Sequence, residues 1–230
     1  MSKLTAGIMT ALLMASPILL CAEEPGVVEF REGFDSSFDA TRFTTPIPNK
    51  NTEVRDGVLW TGGQSGRKYP PMVYLPVQGN EMTISFRYRH LGPGGWIWFF
   101  VDGDDRFGSV DHMLRVKLLR QGVQLQVDSH SLDANHPLRQ NKRPADPVSK
   151  AYRLNEIFPL EKIDLSSNDW HEVKLSFQAE VVTISIDEKT WTKTLKRPAF
   201  NAAKRKLLWM QNGGEKGIEI DDILILPNQK

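Results

Sequence analysis

Residues 94–130, GGWIWFFVDGDDRFGSVDHMLRVKLLRQGVQLQVDSH, contain three runs in which apolar side chains alternate with others: Trp96–Val101, His112–Leu119 and Val123–Asp128. A period of two directs alternate side chains to opposite faces of a β-sheet. One face of the three runs is continuously apolar, and its members are Ile97, Phe99, Val101, Leu114, Val116, Leu118, Val123, Leu125 and Val127. The stretch therefore predicts three strands with this face in the core.

The opposite face of the same strands has a different composition. It combines flat aromatic side chains with hydrogen-bonding ones: Trp96, Trp98, His112, Arg115, Lys117, Gln124, Gln126 and Asp128. Contact with water does not require two large aromatics on a polar face, so this face is the first place to look for a function.

The rest of the chain repeats the strand pattern. Glu81–His90 alternates cleanly, and Asp56 with Gly57 forms a tight-turn signal between two short strands. About a dozen short strands are expected at spacings of roughly ten to twenty residues, without a sustained helical period. The prediction is an all-β fold, a two-sheet antiparallel sandwich of the jelly-roll type, built as a single domain over residues 23–230.

Residues 131–155 interrupt this pattern with five basic residues, three prolines and little apolar periodicity. We expect a long loop there, followed by a helical turn within residues 154–165. Long loops in compact domains are often functional, but a solvated excursion is an equally good interpretation.

The first 22 residues have the layout of a signal peptide, with Lys3 followed by an apolar run that ends before Glu23 and Glu24. We therefore expect a secreted or periplasmic protein without a transmembrane segment after signal removal. The one cysteine, Cys21, allows the alternative of a lipoprotein, although Leu20 is not the small residue that lipid attachment favours before the cysteine. Cleavage after Ala22 leaves no cysteine, so a packed core must supply the stability.

The charge balance limits the partners. Without Lys3 the chain has 28 basic and 28 acidic residues and is formally neutral. Nucleic acid is not expected as a partner, because phosphate recognition needs clustered positive charge. Nothing in the sequence defines the oligomeric state.

Several segments resemble secreted bacterial proteins with a concanavalin A-like jelly roll, in particular those related to the domain of unknown function associated with 3-keto-disaccharide hydrolases. The similar segments are EGFDSSFD at 32–39, VRDGVLW at 54–60, DHMLRVKLLRQGVQLQVDSH at 111–130, NDWHEVKLSFQAEVVTISID at 168–187 and GIEIDDILI at 217–225. The resemblance covers most of residues 28–226. It implies that a strand near the carboxyl terminus, ending in paired aspartates, lies beside the first strand.

The resemblance also implies carbohydrate binding or processing outside the cytoplasm, with an oligo- or polysaccharide as the partner. Sugar-binding modules, glycosidases, lyases and adhesion domains share this architecture, so the fold does not choose among them. The Glu-x-Asp-x-x-Glu motif of the related laminarin-cleaving glycosidases does not occur in this sequence. Ordinary retaining hydrolysis is therefore not indicated.

The polar face has the side chains that sugar recognition uses. Trp96 and Trp98 offer planes for the C–H faces of a sugar, whereas planar polar groups bind its hydroxyls. Arg115 and Lys117 also suit an acidic sugar. We expect the full ligand-binding set to be Arg87, Arg89, Trp96, Trp98, Arg115, Lys117, Gln124 and Gln126, provided that their strands are neighbours in one sheet. The alternatives are an ordinary solvated sheet face, or a second small core in which the loop at 131–155 covers both tryptophans.

His112, Asp128 and His130 are the candidate acid–base groups, because they lie at the ends of the central strands. Asp128 and His130 are two residues apart and share a sheet face. Asp111 and His112 are adjacent and point to opposite faces. His171 is in register with core residues and is predicted to be structural.

No cofactor is certain. A structural Ca2+ ion is possible if Glu32, near the first strand, meets Asp222, near the last strand, although there is no calcium-loop signature. Three functions stay open: a glycan-binding protein that uses the concave sheet face, a glycoside-processing enzyme of the 3-keto-disaccharide hydrolase type, and a non-catalytic envelope interaction protein.

Overall fold

The computed structural model describes residues 29–35, 43, 52–62, 70–104, 110–139, 150–188, 190–212, 214 and 216–228. The predicted signal peptide at residues 1–22, with Cys21, lies outside the described residues. Within the described part of the chain no helix is long and apolar enough to cross a membrane.

The described residues form fifteen strands and one short 3-10 turn at Pro198–Asn201. The strands are β1 (Phe30–Glu32), β2 (Thr52–Arg55), β3 (Val58–Thr61), β4 (Met72–Gly79), β5 (Met82–His90), β6 (Trp96–Asp104), β7 (Val110–Leu119), β8 (Gly122–Ser131), β9 (Tyr152–Ile157), β10 (Glu161–Lys162), β11 (His171–Gln178), β12 (Val181–Ile186), β13 (Trp191–Lys196), β14 (Lys204–Asn212) and β15 (Ile218–Pro227).

These strands form two antiparallel sheets. The eight-stranded sheet has the order β13-β12-β11-β5-β15-β3-β2, with β1 also paired to β15. The seven-stranded sheet has the order β10-β8-β7-β6-β14-β4, with β9 also paired to β8. The prediction of an all-β antiparallel jelly-roll sandwich is confirmed.

The core lies between the inner faces of the two sheets. The nine apolar residues predicted from the opening stretch are at most 2% exposed and belong to one continuous cluster. The alternate residues of β5 that face them across the core are equally buried: Met82, Ile84, Phe86 and Tyr88. A period of two therefore identified the inward side of both sheets correctly.

Two local predictions on the strand connections are confirmed. Asp56 and Gly57 have φ values of 51° and 75°, so both central residues of the β2–β3 turn adopt the left-handed conformation that a tight hairpin needs. β15 runs beside β1, with Glu32 opposite Ile223. The strand that contains the paired aspartates thus returns to the first strand.

Two other predictions need correction. Residues 152–157 and 161–162, expected in a loop and a helical turn, are the strands β9 and β10, both paired to β8. Edge strands this short provide too few alternating residues for a recognisable period. In addition, β5 lies between β11 and β15 in the eight-stranded sheet. Its Arg87 and Arg89 therefore do not share a sheet with Trp98 or Arg115.

Candidate functional site

The outer face of the seven-stranded sheet carries most of the predicted ligand-binding residues, and we call it the tryptophan face. Strand register places Trp98 beside Lys117 and Lys117 beside Gln124, while the next row places Phe100 beside Arg115 and Arg115 beside Gln126. The sequence therefore predicted correctly that these side chains are neighbours on one sheet face; their role in binding stays a prediction.

A ladder of aromatic rings runs along β6. The ring centroids of Trp96 and Trp98 are 5.8 Å apart, and those of Trp98 and Phe100 are 5.7 Å apart. The ring of His112 on β7 continues the ladder, 4.8 Å from Phe100. Phe100 was missed because Trp96–Val101 is apolar throughout, although its spacing of two from Trp98 places it on the same face.

Arg115 is held by a buried carboxylate. The Arg115 Nη2 donates to Asp128 Oδ2, and the Asp128 side chain has no exposed surface. The amide of Gln126 donates to the other oxygen of Asp128, at 3.5 Å. Asp128, predicted as an acid–base group, is thus enclosed by partners that orient Arg115 over the Phe100 ring, 5.7 Å from its centroid.

A second buried carboxylate, Asp102, orients His112. The His112 Nδ1 lies 2.6 Å from Asp102 Oδ1, and the Lys206 Nζ lies 3.2 Å from Asp102 Oδ2. A register shift between Val101 and Asp102 places Asp102 opposite His112. Sequence reasoning missed this pair, because register between strands is not visible in the spacing along one strand. The alternation Trp98, Phe100, Asp102 was the available signal.

Lys117 and Gln124 complete the row that contains Trp98. The Lys117 Nζ lies 5.2 Å from the Trp98 ring centroid and 6.0 Å from that of Trp96, within cation–π distance. The Gln124 amide donates to the carbonyl of Phe158 at 3.3 Å. The Gln124 side chain is therefore fixed by this hydrogen bond.

His130 lies further along the same face. It is two residues from Asp128 on β8, and its register partner is Arg153 on β9. The predicted shared face of Asp128 and His130 is therefore present. The partner of Asp128 is nevertheless Arg115, and His112 pairs with the carboxylate of Asp102.

The seven-stranded sheet also has buried apolar residues outside the core cluster: Phe100, Met113 and Leu208. Trp96 and Trp98 are half-buried, in contrast. Both indoles thus keep exposed surface, and residues 140–149 of the loop that was to cover them lie outside the described residues.

The outer face of the eight-stranded sheet carries Arg87 and Arg89, and we call it the arginine face. Arg87 pairs with Asp221 at 3.0 Å and with Asp222 at 2.6 Å, and Arg89 pairs with Glu219. Both guanidinium groups also lie near the Trp170 ring, at 5.1 and 4.6 Å. Burial raises the pKa of the Asp221 carboxyl above its usual range.

The predicted calcium ligands lie at the junction of β1 and β15. Glu32 Oε1 accepts the backbone N–H of Phe34 at 2.8 Å, and Asp222 Oδ2 lies against the Arg87 guanidinium. No group of three or more His, Cys, Asp and Glu side chains suited to a metal occurs among the described residues. The calcium ion stays a prediction.

His171 is a structural residue, as predicted. It is 7% exposed, and its Nδ1 lies 2.8 Å from Asp187 Oδ2. The other oxygen of Asp187 accepts the backbone N–H of Glu172 at 2.8 Å. The pair ties the β12–β13 turn to the start of β11.

Solved structures with a similar fold include a laminarinase, a porphyranase and a CBM2 module. The laminarinase from Rhodothermus marinus superposes with a TM-score of 0.58 and 11% identity, covering 89% of this chain and 98% of that chain. Porphyranase B from Zobellia galactanivorans gives 0.57 and 9%, covering 85% and 91%. The CBM2 module of the evolved Dit protein of Lactobacillus casei BL23 phage J-1 gives 0.56 and 8%, covering 87% and 96%.

These identities establish a shared jelly-roll architecture and nothing finer. No family model matches the sequence, and no curated protein is significantly similar to it.

Proposed function

We propose that this protein is a secreted or periplasmic carbohydrate-interacting β-sandwich that binds an oligo- or polysaccharide on its tryptophan face. The observation that carries the proposal is the half-buried pair of Trp96 and Trp98, packed on the buried Phe100 ring, beside the fixed polar side chains of Arg115 and Gln126. Aromatic planes suit the C–H faces of sugar rings, and oriented planar polar groups suit pairs of hydroxyls.

The fold comparison supports the same ligand class, because structures with this architecture include laminarinases and a porphyranase. The half-burial of the two indoles also supports it: their edges are fixed by the sheet, while part of each ring stays accessible. A rigid, partly exposed aromatic loses little conformational entropy on binding a sugar.

A glycan array followed by isothermal titration tests the proposal. Trp98→Ala is expected to weaken binding of the glycan found by about tenfold, since it removes the central ring of the ladder. Trp170→Ala is the matched control, because it removes an indole that stacks on arginines of the opposite sheet. Equal binding by wild type and Trp98→Ala would place the ligand elsewhere, and absence of any glycan ligand would favour a protein-interaction role.

A second candidate function is a glycoside-processing enzyme of the 3-keto-disaccharide hydrolase type. The contact between Asp102 and His112 favours it, because a carboxylate on Nδ1 leaves Nε2 as the acid–base nitrogen. His112 keeps 36% of its side chain exposed, beside the aromatic ladder. A substrate bound along the ladder would therefore meet an oriented histidine.

Turnover of 3-keto-disaccharides tests this second candidate. His112→Gln is expected to lower kcat by roughly a hundredfold or more, as loss of a general acid–base group does. Asp102→Asn should shift the pH profile, because it changes what holds Nδ1. If activity depends on His130 instead, His130→Gln gives the large loss and the role of His112 is refuted.

We retain a structural Ca2+ ion near Glu32 and Asp222 as a proposal, supported by the closeness of β1 and β15. Calcium should then raise the Tm and chelation should lower it, and Glu32→Gln should remove the response. A Tm that is independent of calcium contradicts the site.

A further inference from the structure

Lys117 differs from the other strongly basic side chains at the centre of the tryptophan face. Arg115 is paired with Asp128, and Lys206 is paired with Asp102. The Lys117 ammonium lies over the rings of Trp96 and Trp98, and no carboxylate in the described part of the chain pairs with it. Among the described residues, the Lys117 charge therefore has no counter-charge.

The acidic groups of this face are beneath its surface. Asp102 and Asp128 are each 1% exposed, whereas Lys117 is half-buried and reaches the level of the indole rings. Both carboxylates are already engaged by other cations. The charge that a ligand meets along the Trp98 row is consequently positive.

An anionic substituent matches this positive row better than a neutral hydroxyl does, because charge-assisted hydrogen bonds are stronger.

We propose that Lys117 recognises the anionic substituent of an acidic glycan, a carboxylate or a sulfate ester, bound across Trp96 and Trp98. The inference rests on the proposed glycan-binding function and names its ligand class. Arg115 has a different role, since Asp128 neutralises it, and it positions the ligand as a hydrogen-bond donor. The sugar ring stacks on the indoles while its charged group contacts the Lys117 Nζ.

Isothermal titration with matched polymers tests the inference. Polygalacturonate is compared with its methyl ester for a carboxylate, and a sulfated galactan with its desulfated form for a sulfate. Wild-type protein should prefer the charged member of one pair by about fivefold, with a preference that decreases as salt is raised. The pair that shows the preference identifies the anion.

Lys117→Met keeps the aliphatic stem over the indoles and removes the charge. This variant should bind the neutral polymer like wild type and lose the preference for the charged one, whereas Lys117→Arg should keep it. Lys174→Met is the control for net charge, because Lys174 is an exposed residue of β11 on the other sheet. Its preference should not change.

Three results would overturn the inference. Equal affinity of the wild type for charged and neutral polymers would show that no anionic substituent is recognised. An unchanged preference in Lys117→Met would show that Lys117 is not the residue that recognises it. In both cases glycan binding itself stands. Absence of binding to every polymer rejects the proposed function together with the inference.

Discussion

The tryptophan face and the arginine face have similar side chains but pair them differently. Each combines tryptophan, arginine and carboxylates on the outside of a sheet. On the arginine face Asp221 and Glu219 are buried too, but Arg87 is also neutralised by Asp222, whose side chain is 55% exposed. On the tryptophan face both carboxylates are buried, while Trp96, Trp98 and Lys117 keep exposed surface.

This difference shows why composition does not locate a binding site. A guanidinium paired with a surface carboxylate has little left to offer a ligand, and such pairs contribute little to stability. A buried carboxylate instead fixes the side chain above it, as Asp128 fixes Arg115 and Asp102 fixes His112. The tryptophan face combines such oriented groups with partly exposed indoles and a cation, Lys117, that no described carboxylate neutralises.

The largest expected effect compares one carboxylate from each face. Asp128→Asn should lower the free energy of unfolding by about 3 kcal/mol, because it leaves Arg115 without its buried partner. Asp222→Asn should cost less than about 1 kcal/mol, since its ion pair is largely solvated. Asparagine also tolerates the φ of 48° at position 222. Denaturant unfolding measures both, and equal losses would show that the faces do not differ in this way.

His90 is a buried base on the inner side of β5, the strand whose outer side carries Arg87 and Arg89. It should make the stability of the eight-stranded sheet depend on pH in the acid range. Burial, followed by the charges of Arg120 and His171, lowers its pKa from 6.5 to about 4. The unfolded chain therefore binds a proton that the folded chain does not, and stability is lost as the pH falls from 6.5 towards 4. The loss should approach about 3 kcal/mol. Unfolding measured across this range should be flatter in His90→Leu, and an unchanged slope would assign the effect to other groups.

Lys204 is the corresponding buried base of the seven-stranded sheet. It is 0% exposed, donates to the carbonyls of Asn80 and Phe200, and has a pKa lowered by burial from 10.5 to about 8. As the pH rises, the folded chain loses this proton at a lower pH than the unfolded chain does. The free energy of unfolding should therefore rise between pH 8 and 10.5, by up to about 3 kcal/mol.

Lys204→Met separates this effect from the loss of the two hydrogen bonds. The variant should be less stable at every pH, because both carbonyls lose a donor, and it should not show the alkaline rise. Persistence of that rise in the variant contradicts the assignment to Lys204.

The smallest expected effect concerns Arg89, which the sequence placed in the binding site. Arg89→Gln should leave glycan affinity within about twofold of wild type, because Arg89 is on the other sheet and pairs with Glu219. Titration with the glycan identified on the array measures it. A loss of glycan affinity as large as that of Trp98→Ala would show that the arginine face takes part in binding.

The fold could be predicted from the sequence because each strand of the core has one apolar side. Alternation in β5, β6, β7 and β8 correctly identified the side of each strand that faces the core. Alternation says nothing about which strands are neighbours, and β5 was therefore assigned to the wrong sheet. The pairing of β5 with β11 and β15 depends on contacts between residues distant in sequence.

The candidate site could be predicted only in part, because alternation does not reveal which strands are neighbours. Trp98, Lys117 and Gln124 come from consecutive strands, so their proximity followed from hairpin connections. The pairing of Asp102 with His112 depends on a register shift, and that of Lys206 with Asp102 on the return of β14 beside β6. Neither has a local signature.

The most direct test of the central claim is 19F NMR of protein labelled with 5-fluorotryptophan, titrated with the bound glycan. The chain has 6 tryptophans, and single Trp→Phe variants assign their resonances. Glycan binding on the tryptophan face should shift the resonances of Trp96 and Trp98 with ligand concentration, while those of Trp170 and the buried Trp209 stay unchanged. A shift of Trp170 with Trp96 and Trp98 unchanged would contradict binding on this face.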